Sequence, residues 1–131
     1  MSQSQSLNGS EAILVVDDSP QIRTLVRDVL EMHGYRVFEA PNARDALEIA
    51  GRPGVHFDLL LTDIEIPGMN GRELADTLSA RQPGLKVVFV SGHGSDELTR
   101  HGVSPGAALL QKPFGPKLLA RTVREILDLR P

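Results

Sequence analysis

The sequence predicts an α/β fold, a parallel sheet of five strands with helices on both faces. Three observations predict it. Five short β-rich runs alternate with five stretches whose apolar residues recur at helical spacing, the pattern of βαβ units. The inner runs, such as Leu59-Leu60-Leu61 and Val87-Val88-Phe89-Val90, are apolar throughout, as strands buried on both faces are. The clearest run also stops abruptly, at Asp63, with Pro67-Gly68 following as a turn signal.

Taken in order, Met1 to Ser10 is polar and low in complexity and reads as a disordered tail or linker, leaving one domain over 11–131. Ala12-Ile13-Leu14-Val15-Val16 is the first strand and ends in Asp17-Asp18. Ser19-Pro20 starts a helix, with Ser as N-cap and Pro at its first position. Ile22, Leu25, Val26, Val29 and Leu30 give that helix one apolar face, and Gly34 stops it. Tyr35 to Ala40 alternates, as an outer strand does. Asn42 caps a short helix with Ala43, Ala46, Leu47 and Ala50 inward, closed by Gly51 to Gly54.

The Asp63 strand comes next, then a Pro67-Gly68 loop and a helix over Gly71–Arg81 carrying Leu74 and Leu78. After the Gln82-Pro83-Gly84 turn, Val87 to Val90 forms a buried strand ending in Ser91. A short helix opens at Gly92-His93-Gly94-Ser95 and runs to about His101. Gly102 to Gly106 is a loop, Ala107 to Leu110 a short strand ending at Gln111-Lys112, and Lys112 to Pro116 a turn. The last helix runs to about Asp128 with Leu118, Leu119, Val123, Ile126 and Leu127 on one face.

Composition narrows the function. With no Cys, there is no disulfide framework, thiolate nucleophile or Cys-metal site. The formal net charge is −3, with both signs interspersed, and no basic stripe suggests nucleic acid or an anionic membrane. The apolar runs are strand-length, none spans a bilayer, and no signal peptide opens the chain, so the expected location is the cytoplasm.

Asp17 and Asp18 end the first strand, Asp63 the third, Ser91 the fourth and Lys112 the fifth. In an open parallel sheet these C-terminal ends share one edge, where ligands bind. Two unit charges roughly 5 Å apart repel by about 3 kcal/mol at an effective dielectric of 20. Three such carboxylate pairs approach about 10 kcal/mol, comparable with the stability of a whole domain. Counter-cations must offset that. Lys112 is one, and a divalent ion the natural second. An all-oxygen donor set favours Mg²⁺ or Mn²⁺ over Zn²⁺, with Asp17 or Asp18 beside Asp63. A carboxylate so placed can attack phosphorus, giving an aspartyl phosphate whose oxygens Lys112, Ser91 and the metal neutralise.

At these residues the chain resembles the response-regulator receiver domains of two-component signalling. The resemblance covers about residues 12–128 and rests on Ile13-Leu14-Val15-Val16-Asp17-Asp18-Ser19-Pro20, Asp63 with Pro67-Gly68-Met69-Asn70-Gly71, Ser91-Gly92 and Lys112-Pro113-Phe114. It implies a flavodoxin-like, doubly wound sheet of order 2-1-3-4-5. It implies Asp63 as phosphoacceptor, Asp17, Asp18 and Asp63 as Mg²⁺ carboxylates, and the Glu65 carbonyl as a further ligand. Ser91 becomes the hydroxyl switch and Lys112 the phosphate-binding lysine, with a cis peptide before Pro113. The implied partner is a histidine kinase or histidine phosphotransfer protein, met through the first helix and the Pro113–Pro116 loop. The implied activity is that of a self-phosphorylating switch with autodephosphorylation rather than a turnover enzyme. Leu109-Leu110-Gln111-Lys112-Pro113-Phe114 is similar to receivers of hybrid histidine kinases.

Two residues depart from the family pattern. Leu109 stands where an aromatic residue is common, and Ser91 replaces a common Thr. Glu65 brings an extra carboxylate, and it and His93 are candidate modulators of acyl-phosphate lifetime. Singly, Ser19 and Asp18 could be helix caps, Ser91 a cap for the next helix and Lys112 a solvated strand end. Two other functions compete. A haloacid-dehalogenase-like Mg²⁺ phosphohydrolase uses similar residues, but its nucleophile ends the first strand and it needs a cap that this chain is too short to supply. A receiver-like binding module would not need all five site residues.

Overall fold

Successive residues of the first strand, β1 (Ala12–Val16), go to opposite faces of a sheet, and all five are buried. Ala12, Leu14 and Val16 enter one apolar core, Ile13 and Val15 the other. This two-sided burial forces the uninterrupted apolar run. The structure is a computed structural model that describes residues 7–104 and 106–129.

The elements follow as α1 (Pro20–Met32), β2 (Arg36–Ala40), α2 (Ala43–Ala50), β3 (Leu59–Asp63), β4 (Glu65–Ile66), β5 (Met69–Asn70), α3 (Gly71–Arg81), β6 (Lys86–Ser91), α4 (Ser95–Arg100), β7 (Leu109–Gln111) and α5 (Pro116–Asp128). The main sheet has five strands in the order β2-β1-β3-β6-β7, and every pairing in it is parallel. Without the short β4 and β5, this is the expected 2-1-3-4-5 order of a flavodoxin-like fold. Val26, Val29 and Leu30 of α1 join Leu119, Ala120 and Val123 of α5 over one face. Ala43 and Ala46 of α2, Leu74 and Leu78 of α3 and Leu98 of α4 cover the other.

Three details differ from the sequence reading. The Pro67-Gly68 loop is the turn of a small antiparallel hairpin pairing Glu65 with Asn70 and Ile66 with Met69. Pro67 presets one central position, and Gly68, at φ +98°, takes a conformation that side chains disfavour. Asn70 then caps α3, its side chain accepting from the Glu73 N–H while the Glu73 carboxylate accepts from the Asn70 N–H. Leu118, assigned to the apolar face of the last helix, is 45 % exposed. The stripe through Leu119 and Val123 lies more than a quarter-turn round the helix from it. Finally, the last strand starts at Leu109 rather than Ala107, because the parallel ladder to β6 begins at Phe89↔Leu109.

Of the tail expected at 1–10, residues 1–6 lie outside the described residues. Leu7 packs on the α1–α5 core, the Gly9 N–H donates to the His33 carbonyl at 2.9 Å, and the Asn8 carbonyl accepts from Arg124 at 3.2 Å. Arg124 also pairs with Glu11 at 2.8 Å and lies over the Tyr35 ring, 5.9 Å from its centroid.

Candidate functional site

Parallel pairing brings the strand ends together. Val16 is level with Thr62, and Asp63 with Val90, so Asp17, Asp63 and Ser91 emerge on one edge. The Lys112 N–H donates to the Ser91 carbonyl at 2.8 Å and sets the end of β7 beside that of β6. The Lys112–Pro113 peptide is cis, as the resemblance implied.

All three oxygens of Asp63 are held. Its Oδ1 accepts from the Glu65 N–H at 3.0 Å, its Oδ2 from Lys112 Nζ at 2.7 Å, and its carbonyl from the Thr62 hydroxyl at 2.9 Å. Gly71 lies against the same carbonyl. A Cβ there would come within 2.4 Å of the Asp63 oxygen and 3.0 Å of Ile64 Cα. A glycine is therefore required for the backbone to pass.

Asp17 is 2 % exposed. Its Oδ1 accepts from the Ser19 N–H at 2.9 Å. Its Oδ2 lies 3.2 Å from Lys112 Nζ, but their alignment makes no hydrogen bond, leaving a buried oxygen without a hydrogen-bond partner among the described residues. Burial pushes the Asp17 carboxyl above its ordinary range; the Ser19 N–H and the Lys112 charge oppose that without cancelling it. Burial works against the Lys112 charge too, but the hydrogen bond to Asp63 and the two carboxylate charges outweigh it and hold the ammonium above its usual range. Ser19 is the helix cap, accepting from the Ile22 N–H at 3.3 Å.

Asp17, Asp18 and Asp63 each offer a carboxylate oxygen, and these oxygens lie within 4.8 Å of one another. Three carboxylates facing one ammonium leave an excess of negative charge. The orphaned Asp17 Oδ2 is the atom that a cation would satisfy, and the hard oxygen donors fit Mg²⁺. The residues present therefore fit the expected ion, with Asp18 exposed to solvent beside the buried pair.

The remaining predicted residues are arranged differently. The Ser91 side chain is fully buried and its hydroxyl donates to Glu97 of α4. The Ser91 Oγ accepts from the His93 N–H at 3.0 Å, while the His93 side chain is exposed. The Glu65 side chain interacts with Glu97, and that hydrogen bond with the nearby charge pushes the Glu65 carboxyl up. At Glu97 burial favours the neutral acid, but the hydrogen bonds from Ser91 and Glu65 outweigh it and keep the carboxyl below its ordinary range. Glu65, Glu97 and His101 form a second group of oxygen and nitrogen donors within 4.8 Å of one another. Leu109 is half-buried and lines a cleft of about 210 Å³ with Leu98, Thr99 and Val103.

Sequence reasoning missed Glu97 and Arg23. The one signal for Glu97 is an acidic residue at the start of a helix that closely follows a strand-end serine. Arg23 donates to the Asp17 carbonyl at 2.6 Å and lies 3.4 Å from Glu39. It fixes the turn after β1, and its position one turn into α1 is the only hint of that role.

Comparison with known proteins agrees with this geometry. Residues 13–124 match the family model of the response regulator receiver domain. The chain is 36% identical over 123 residues to the sensor kinase CckA of Brucella abortus (strain 2308), covering 93% of this chain and 13% of that protein. It is 31% identical to sporulation initiation phosphotransferase F of Bacillus subtilis (strain 168), covering 92% of this chain and 97% of that one. Among solved structures it is similar to a CheY-like receiver domain from Methanospirillum hungatei JF-1, with a TM-score of 0.76, 31% identity and coverage of 92% and 95% of the two chains.

Proposed function

This chain belongs to the response regulator receiver domain family, and from that premise we propose that it is a Mg²⁺-dependent phosphoacceptor switch in a two-component phosphorelay. Asp63 is the acceptor, and the donor is a phosphohistidine on a histidine kinase or histidine phosphotransfer protein. The observation that carries the reading is the ammonium of Lys112 set between Asp63 and Asp17, beside a buried carboxylate oxygen that lacks a hydrogen-bond partner among the described residues.

Each residue has a defined task. An Asp63 carboxylate oxygen attacks phosphorus, the P–N bond breaks, and its electron pair returns to the imidazole nitrogen. The product is a mixed anhydride. Phosphoryl transfer depends chiefly on positioning and charge neutralisation. The Glu65 N–H and Lys112 fix the Asp63 carboxylate, and Lys112 then pairs with a phosphoryl oxygen. Asp17, Asp18, Asp63 and the Glu65 carbonyl hold Mg²⁺, which neutralises charge on the transferring group when bound. Ser91 donates to a phosphoryl oxygen once its hydroxyl turns from Glu97. Glu65 and His93 tune the lifetime of the anhydride.

Asp63 ends the third strand of the chain, not the first, which argues against the haloacid-dehalogenase alternative. Among the described residues no helix is long and apolar enough to cross a membrane. The chain spans 13% of the sensor kinase it resembles, so both a free-standing receiver and one borne by a hybrid kinase fit.

Intact mass after incubation with acetyl phosphate and Mg²⁺ tests the proposal. One added phosphoryl group is expected, absent in Asp63→Asn and without Mg²⁺. Steady turnover of general phosphoesters would favour a hydrolase, and no uptake by folded, Mg²⁺-bound protein would favour a binding module.

A further inference from the structure

The Ser91 hydroxyl carries one proton, and Glu97 receives it. The Gly94 carbonyl stands farther away, at 3.3 Å. Glu97 is 2 % exposed. Among the described residues it makes no ion pair with a lysine or arginine. A buried carboxylate without a lysine or arginine partner leans on its hydrogen-bond donors, and losing one removes part of what offsets its desolvation. Glu97 belongs to α4, a six-residue helix with no side-chain cap at its N-terminus. Beside that helix lies the cleft of about 210 Å³ lined by Leu98, Thr99, Val103 and Leu109.

We propose that Glu97 is the positioning residue that holds the Ser91 hydroxyl in the resting state and so ties the release of that hydroxyl to the position of α4. The inference rests on the phosphoacceptor reading above. The phosphoryl group on Asp63 and the Glu97 carboxylate compete for a single donor. When the Ser91 hydroxyl turns to the phosphoryl oxygen, the buried Glu97 loses one of the donors that offset its burial. It leaves toward solvent and carries α4 with it, and the neighbouring cleft leaves room for Leu98 to shift. The coupling passes through a carboxylate on the helix itself, so Leu109 need not swing as an aromatic ring would.

Amide chemical shifts of the full ¹⁵N-labelled chain test this, with intact mass run in parallel. In the wild type, acetyl phosphate with Mg²⁺ should move the amides of Ser95–Arg100. In unphosphorylated Ser91→Ala, the same amides should already be displaced in the same direction by at least roughly half as much, because Glu97 has lost a strong donor. Glu97→Ala should do likewise, and the double variant should move them no further. Glu97→Gln keeps an acceptor oxygen of the same size and should restore the resting positions. Should Glu97→Ala fail to fold, Ser91→Ala and Glu97→Gln still decide the matter. Phosphoryl uptake with α4 amides unmoved in resting Ser91→Ala overturns the Glu97 assignment alone. No uptake by the wild type overturns the phosphoacceptor reading, and this inference with it.

Discussion

Lys112 Nζ donates to Asp63 Oδ2 at 2.7 Å, although β6 separates their strands in the sheet. The lysine reaches over the end of a neighbouring strand to neutralise the central carboxylate. In doing so it also comes within 3.2 Å of Asp17, so one ammonium serves two buried acids.

Lys112→Ala should leave that pair uncompensated. The metal-free protein should lose about 2 kcal/mol, discounted from a fully buried pair because the lysine is partly solvated. Urea denaturation in EDTA checks the loss, and saturating Mg²⁺ should narrow it. Metal binding should persist, while the chemical-shift response to acetyl phosphate fades. An unaltered response would remove Lys112 from the phosphate-binding role.

Asp17→Asn should stabilise the metal-free protein. Burial holds the Asp17 carboxyl above its unfolded value, so the folded state binds the proton more tightly. The contribution to stability is then fully present below the unfolded value and is lost as pH rises through the folded one. The asparagine has no such dependence. Its stability advantage over the wild type should therefore grow as pH rises from about 4 and then level off. Thermal unfolding in EDTA across that range measures it. Mg²⁺ should reverse the order, since only the wild type keeps the full ligand set.

Gly71→Ala gains helix propensity but should still destabilise. The added Cβ would meet the Asp63 carbonyl oxygen at 2.4 Å, and a backbone atom cannot give way as a flexible side chain can. A net loss of about 2–4 kcal/mol is expected despite about 1 kcal/mol of propensity gain. Because the displaced atom belongs to Asp63, Mg²⁺ affinity by calorimetry should fall as well. Unchanged affinity would show that α3 moves instead of the site.

Leu109→Ala should cost about 2 kcal/mol by lost packing, whereas Leu109→Phe should stay within about 1 kcal/mol because the adjacent cleft accepts the ring. Both variants should keep the phosphorylation-driven shifts of α4. Loss of those shifts in Leu109→Ala would place the coupling at this residue and not at Glu97.

The fold and most of the site could be read because each depends on a regular pattern. Two-sided burial makes a strand such as Leu59–Asp63 apolar without interruption, and parallel order then sends every strand's C-terminal end to one edge. Asp17, Asp63, Ser91 and Lys112 were found by that rule alone. Glu97 obeys no such rule. It meets Ser91 because the loop through Gly94, at φ +74°, folds α4 back over the strand end, and that path is set by tertiary contacts. Leu118 shows the opposite limit. Leu118 and Leu119 stand about 100° apart round the helix, and sequence alone did not say that Leu119 would be the inward one. The β4–β5 hairpin and the Asn70–Glu73 cap had a readable signal in Pro67-Gly68 and Asn-x-x-Glu; reading that segment as a plain loop passed over it.

The route of the chain also sets when the acidic pocket can work. Asp63 precedes Lys112 by 49 residues, and β7 pairs only with β6 at the edge of the sheet. Because a nascent chain emerges N-terminus first, its aspartates leave the ribosome before the lysine that neutralises them. Until β7 docks, β1, β3 and their carboxylates hold an unbalanced charge that opposes closure of the edge. Charge balance at this edge therefore arrives with the last strand, and the acidic pocket is complete once the sheet is.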